Sequence, residues 1–256
     1  MSNELYYIDE HGKKNDFLCH KDMLIDDDIQ DLALLKIDSS IYKTVTSFYC
    51  TLIENENHRY KSWEHCYHYF SNNNIDIDVA SLHLAFYLAS WGMYRGSSFL
   101  LWKDYKIHKE VVKELAKHKD LQDIDFLSIT DEKCNRIIGL SDWVKNWYHD
   151  NISEVNGKSK TVNVTDTLVT KIMLGTLGCI PAYDRYFIDG IRKSNIQYSK
   201  ISTKNLLSVA KFYQKHYEQF KKAQDFISIN SVANYPTMKL VDMYFWQIGF
   251  ERDNKG

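Results

Sequence analysis

Two prolines and ten glycines are all that punctuate 256 residues. So few breakers leave little material for many short strands joined by tight turns. Long uninterrupted segments are what such a chain can form, and helices accommodate them best. Aromatic residues make up 14% of the chain, with 18 Tyr, 12 Phe and 6 Trp, enough bulk to fill the spaces between packed helices.

The apolar spacing agrees. From Ser39, Ile41, Val45, Phe48, Tyr49 and Leu52 recur at three- and four-residue intervals, and Trp63, Cys66, Tyr67 and Phe70 continue the pattern. Asp76 or Asp78 is a suitable cap for a helix carrying Val79, Leu82, Phe86 and Leu88. That helix is apolar nearly all round and is expected in the core. "SWGMYRGSS" ends it. Further helices are expected over Phe99–Lys117, after a cap at Asp131, after Thr165 or Asp166, from about Ala182, over Asn205–Phe226, and from Pro236 onward. Residues 151–164, "NISEVNGKSKTVNV", read as a loop between two lobes. The predicted fold is all-α: a two-lobed helical bundle of about ten helices with a helix-hairpin-helix-like element. Residues 1–38 are an acidic arm or cap, and residues 39–256 form the helical domain.

Net charge is −2, but it is unevenly spread. Residues 1–40 hold four Lys/Arg against ten Asp/Glu, whereas residues 185–222 hold nine against two. The basic stretch fits either a solvated helix face or a contact to an anionic polymer. No early apolar run resembles a signal peptide, and no window is long and apolar enough for a membrane span. The five cysteines form no CxxC pair and read as reduced thiols of a cytoplasmic protein. No P-loop, GxSxG or HExxH motif is present.

The chemistry-bearing stretch is "TLVTKIMLGTLGCIPAYDRYFIDGIR", Thr167–Arg192. It reads as helix, turn, helix. Gly175 and Gly178 permit positive φ and close backbone approach, and Pro181 suits a helix entry. The turn is expected to offer backbone amides to a DNA phosphate. Asp184, expected in the first turn of the second helix, can stabilise a developing oxocarbenium ion at a sugar C1′ or activate water. Lys171, thirteen residues earlier, can attack C1′ and form a Schiff base if the hairpin folds it back. The plainer reading makes Asp184 a helix-start residue and Lys171 a solvated lysine.

"TKIMLGTLGCIPAYDRYF" resembles the segment of helix-hairpin-helix DNA glycosylases in which a lysine precedes the hairpin and a catalytic aspartate follows it. The likeness is to the bacterial 8-oxoguanine-glycosylase-like branch, and "MKLVDMYFWQIG" is similar to that branch's closing helix. In place of the usual closely spaced hairpin glycines stands "LGTLGCIP". The resemblance implies that Lys171 holds the nucleophile position and Asp184 the catalytic aspartate position. It further implies removal of a modified base, either an oxidised purine or a hypermodified phage cytosine, in base excision or antiviral defence.

A flipped base needs a pocket, for which Trp91, Tyr94 and Arg95 are the candidates. Gly175, Gly178, Arg185, Lys204 and Lys211 are the candidate DNA contacts. The expected partner is double-stranded DNA, bound by a monomer with no cofactor and no metal. A second reading starts from Arg59 and His65, which resemble the Arg–His motif of helical-bundle toxin ribonucleases. A third is a non-enzymatic DNA-binding module. His58, His65 and His68 lack a fourth metal ligand at fitting spacing.

Overall fold

The computed structural model describes residues 6–8, 14–16, 39–198, 200–231 and 233–253. Ten α-helices dominate them. They are α1 Ser39–Ile53, α2 Ser62–Ser71, α3 Ile77–Ser90, α4 Lys109–Ala116, α5 Asp131–Asn151, α6 Asp166–Thr176, α7 Arg185–Lys193, α8 Thr203–Lys215, α9 Tyr217–Ser228 and α10 Thr237–Asp253. The all-α expectation holds. Among the described residues, strands are confined to two small antiparallel pairs, β1 Tyr6–Ile8 with β2 Lys14–Asp16 and β3 Glu154–Val155 with β4 Lys158–Ser159. The rest of the expected arm, residues 1–38, lies outside the described residues.

Capping side chains set the helix starts. Asp76 accepts from the amides of Asp78 and Val79 at 2.8 and 2.9 Å, so Asp76 rather than Asp78 caps α3. Thr165 does the same for α6. Thr130, not Asp131, caps α5. Several other boundaries differ from the periodicity reading. Phe99–Lys117 is two 3-10 turns followed by the short α4. The expected Asn205–Phe226 helix breaks at His216, which leaves α8 and α9 as separate helices. The 151–164 segment is not all loop. Asn156 and Gly157 adopt φ of 53° and 71°, the two consecutive left-handed residues of a type I′ turn, and β3 and β4 close across them. One continuous apolar core takes residues from both sides of this hairpin.

α3 is buried on one side only. Val79, Leu82 and Phe86, three of the four residues expected in the core, are 41%, 53% and 58% exposed. Its inner face packs on α2 and α6, and α1 packs on α9 and α10. The closest approach joins α7 and α10. A Cβ on Gly190 would lie 2.0 Å from the Phe245 carbonyl oxygen, and one on Gly249 would lie 1.9 Å from that of Tyr186. Only glycine lets these two backbones meet, and both helices bear on the site below.

Three cysteines, Cys66, Cys134 and Cys179, are free and buried. Cys50 is disulfide-bonded, which corrects the expectation of reduced thiols throughout. No helix among the described residues is long and apolar enough to cross a membrane.

Candidate functional site

The segment after α6 brings the two nominated residues together. α6 ends at Thr176, and Gly178 turns the chain with φ of +63° while its amide bonds back to the Met173 carbonyl at 2.9 Å. Pro181–Asp184 then runs alongside α6, held by side chains from two helices. The Thr167 hydroxyl donates to the Tyr183 carbonyl at 2.9 Å, and the Tyr183 amide donates to Thr170 Oγ1 at 2.9 Å. From the other side, the Ala182 amide donates to Asp242 Oδ1 at 3.0 Å. α7 therefore begins at Arg185 rather than near Ala182, with Asp184 as its N-cap. Asp184 lies just before the first turn, and Pro181 lies outside the helix.

The Lys171 ammonium lies 3.1 Å from Asp184 Oδ2, and the two side chains are only 5% and 13% exposed. This excludes the solvated-lysine reading. Asp184 Oδ1 accepts from the Phe187 amide at 3.1 Å, so one carboxylate both caps α7 and pairs with the lysine. Lys171 Nζ also donates to the Trp91 carbonyl at 3.3 Å, just past the end of α3. Gly92, at φ +78°, stops α3 there, and the Met93 amide turns back to the Leu88 carbonyl. The cation thus sits at the negative end of α3's dipole, and the anion at the positive end of α7's. Each charge is favoured by a helix end as well as by the other charge.

A second pair adjoins the first. Lys239 Nζ lies 3.3 Å from Asp242 Oδ2, with side chains 2% and 3% exposed. The indole of Trp91 joins the pairs, with Lys171 Nζ 5.3 Å and Lys239 Nζ 4.9 Å from its ring centroid. Burial holds the Lys239 pKa below its ordinary value, Asp242 opposes that shift, and Lys171 adds to it. Burial raises the Asp242 pKa, against the pull of Lys239, and Asp184 raises it further. Both shifts favour the neutral forms, so moving a proton from Lys239 to Asp242 costs less than it would at the surface.

Aromatic rings wall the site. Tyr60 stacks on Trp91 at 4.1 Å between centroids, and Trp246 meets both edge-on. Beside this wall lies a cleft of about 280 Å³, lined by Phe48, His58, Tyr60, Trp246 and Phe250 among others.

Of the expected base-pocket residues, Trp91 belongs to this cluster. Tyr94 does not: its hydroxyl bonds His108 Nε2 at 2.8 Å, and His108 Nδ1 bonds the Tyr148 hydroxyl. Arg95 packs near Gly92 and lines a separate cleft of about 360 Å³ with Lys160 and Thr165. The expected phosphate-facing hairpin is also corrected. Gly178 is buried where a Cβ would meet Pro236 at 2.4 Å, and Gly175 is buried where one would meet the Tyr87 ring at 2.3 Å. Both glycines serve internal packing. Arg185 bonds the Tyr186 hydroxyl at 2.8 Å, and Lys204 and Lys211 are exposed on α8. Arg59 lies over the Tyr60 ring, whereas His65 is exposed on α2; burial lowers the His83 pKa, and the nearby His65 adds to that shift. Among the described residues, no group of three or more His, Cys, Asp or Glu is arranged to hold a metal ion.

The His108 chain has a measurable consequence. Burial lowers the His108 pKa to about 3, whereas in the unfolded chain it titrates near 6.5. The unfolded state alone takes up this proton between those values, so the contribution to stability is lost as pH falls through that window. Between pH 7 and pH 5 the loss from His108 is about 2 kcal/mol. Denaturant titrations of wild type and His108→Gln at both pH values will show it as the difference between their pH dependences.

No protein-family model, no curated protein and no solved structure matches the chain. Tyr60, Trp246, Lys239 and Asp242 are members of the site that the sequence pattern does not mark. The spacing of Lys239 and Asp242 resembles an ordinary i, i+3 surface pair. Only their place in the otherwise apolar run "MKLVDMYFWQIGF" signals burial.

Proposed function

We infer that the protein is a DNA glycosylase acting on a modified base flipped out of the duplex. The observation that carries this is the buried Lys171–Asp184 pair, held 3.1 Å apart between two helix ends and against Trp91. Charges this buried are costly to maintain, and an aromatic cleft beside them suits a planar substrate. The base stacks beside Trp91, Tyr60 and Trp246, which part to admit it. The bond from C1′ to the base nitrogen breaks, and the electron pair leaves with the base. Asp184 stabilises the positive charge that develops at the sugar and takes a proton from the water that bonds to C1′. The product is an abasic site. Where the Lys171 amine, freed of its proton, attacks C1′ in place of water, the product is an imine that opens a lyase route.

The exposed cations of α8, Lys204 and Lys211, supply contacts to the DNA backbone. Substrates are either oxidised purines, as in base excision, or hypermodified phage cytosines, as in antiviral defence. The test is abasic-site formation on DNA carrying 8-oxoguanine and on phage DNA with glucosylated cytosine. Release from one and not the other identifies the substrate class. Release from neither counts against this reading and favours a module that binds DNA without cutting it.

A further inference from the structure

A cleft of about 660 Å³ opens at the C-terminal end of α7 and the N-terminal end of α8. Arg192, Lys200 and Lys204 line it, and its lining contains no acidic residue. Lys200 and Lys204 are exposed and make no ion pair with a described residue, whereas Arg192 has only a long contact, 3.7 Å, to Asp189. α8, thirteen residues long and capped by Ser202, directs the positive end of its dipole here. A separate observation points to a ligand. Asn205 is 5% exposed and lines the cleft; its amide nitrogen donates to the Gln197 carbonyl at 2.8 Å, which fixes its orientation. Its Oδ1 is buried and accepts from nothing. A buried acceptor left unfilled costs free energy, and a bound donor removes that cost.

Cations and a helix N-terminus select phosphate, and the unfilled acceptor selects an N–H or O–H donor carried by the same molecule. We propose that this cleft binds a backbone segment of the substrate DNA, with phosphates at Lys200, Lys204 and Arg192 and a nucleobase amino group donating to Asn205. The position suits that role. Arg192 lies eight residues beyond Asp184 along α7, about 12 Å at 1.5 Å per residue. That distance is about three to four nucleotide steps at 3.4 Å each. The cleft thus holds the strand a few nucleotides from the reacting sugar, a task that the buried turn at Gly175 and Gly178 cannot perform.

The proposal rests on the glycosylase reading for the identity of the polymer, so its test begins with DNA binding. The probes are a duplex oligonucleotide bearing an abasic-site analogue and, as competitor, inorganic phosphate at matched ionic strength. Binding is followed across a range of salt concentrations for the full chain and for Lys200→Gln/Lys204→Gln, with Lys113→Gln/Lys117→Gln as the charge-matched control. The expected result is a salt slope shallower by roughly one unit per lysine removed, with affinity lowered at least tenfold at low salt. The control keeps its slope, and phosphate does not displace the duplex. Duplex binding with an unchanged slope in the Lys200/Lys204 variant overturns the cleft assignment and leaves the glycosylase reading standing. Displacement by inorganic phosphate means the cleft is a simple anion site, which also overturns it. No duplex binding by the parent protein overturns both.

Discussion

Gly190→Ala is expected to destabilise the protein by about 3 kcal/mol or more, among the largest effects of any single methyl group in this fold. The added carbon would lie 2.0 Å from the Phe245 carbonyl oxygen, and main chain cannot swing aside as a flexible side chain can. α7 and α10 would have to separate. Asp184 caps the first, and Lys239 and Asp242 lie on the second, so the strain passes directly into the site. Gly139→Ala is the matched control. That glycine lies within α5 with nothing within 4 Å of its would-be Cβ, and alanine there should stabilise by about 0.5–1 kcal/mol. Thermal melts of the two variants should shift in opposite directions, Gly190→Ala downward by roughly 6–12 °C. Equal melts would mean that the α7–α10 approach is looser than described.

The second large effect concerns the Lys171–Asp184 pair. Removing one partner strands the other charge in a place that water barely reaches. Lys171→Met is therefore expected to cost about 3 kcal/mol, since Asp184 keeps its cap to Phe187 but loses its counter-charge. Asp184→Asn should cost less, because its amide oxygen can still cap α7 and Lys171 keeps its bond to the Trp91 carbonyl at the end of α3. The double variant should be more stable than the sum of the two single losses predicts, by 1 kcal/mol or more in order of magnitude. Strict additivity in denaturant titrations would show that the two charges do not interact.

The sequence made parts of this arrangement legible and hid others, for physical reasons. Lys171, Asp184 and Trp91 are legible as site residues in the sequence, because a turn between two apolar runs restricts where its flanking residues can go. The scarcity of Pro and Gly announced the helices. The break at His216 carries no such mark: the residue adopts φ −115°, ψ 23° in a run without glycine or proline, and packs its ring on Phe212. The exposed face of α3 is hidden in the sequence because Val79, Leu82 and Phe86 are as apolar as core residues. Asn156-Gly157 was a readable hairpin signal that the polar loop around it obscured. The burial of Gly175 and Gly178 depends on Tyr87 and Pro236, which come from distant parts of the chain. Local pattern could not supply that, and it is why the outward-facing hairpin was expected and not found.

The amine at the site can be assigned by borohydride trapping. If Lys171 forms the imine, a covalent protein–DNA adduct appears with wild type, is lost in Lys171→Ala and persists in Lys239→Ala. Loss in Lys239→Ala alone would move the nucleophile to the second pair.

The proposed role of Asp184 is to stabilise charge at the sugar. It is tested most directly by measuring free base released from modified DNA by wild type and by Asp184→Asn, at equal concentrations of folded protein. The expected result is a fall of roughly a hundredfold to ten-thousandfold in the variant, with DNA binding retained. Equal release by Asp184→Asn would contradict it.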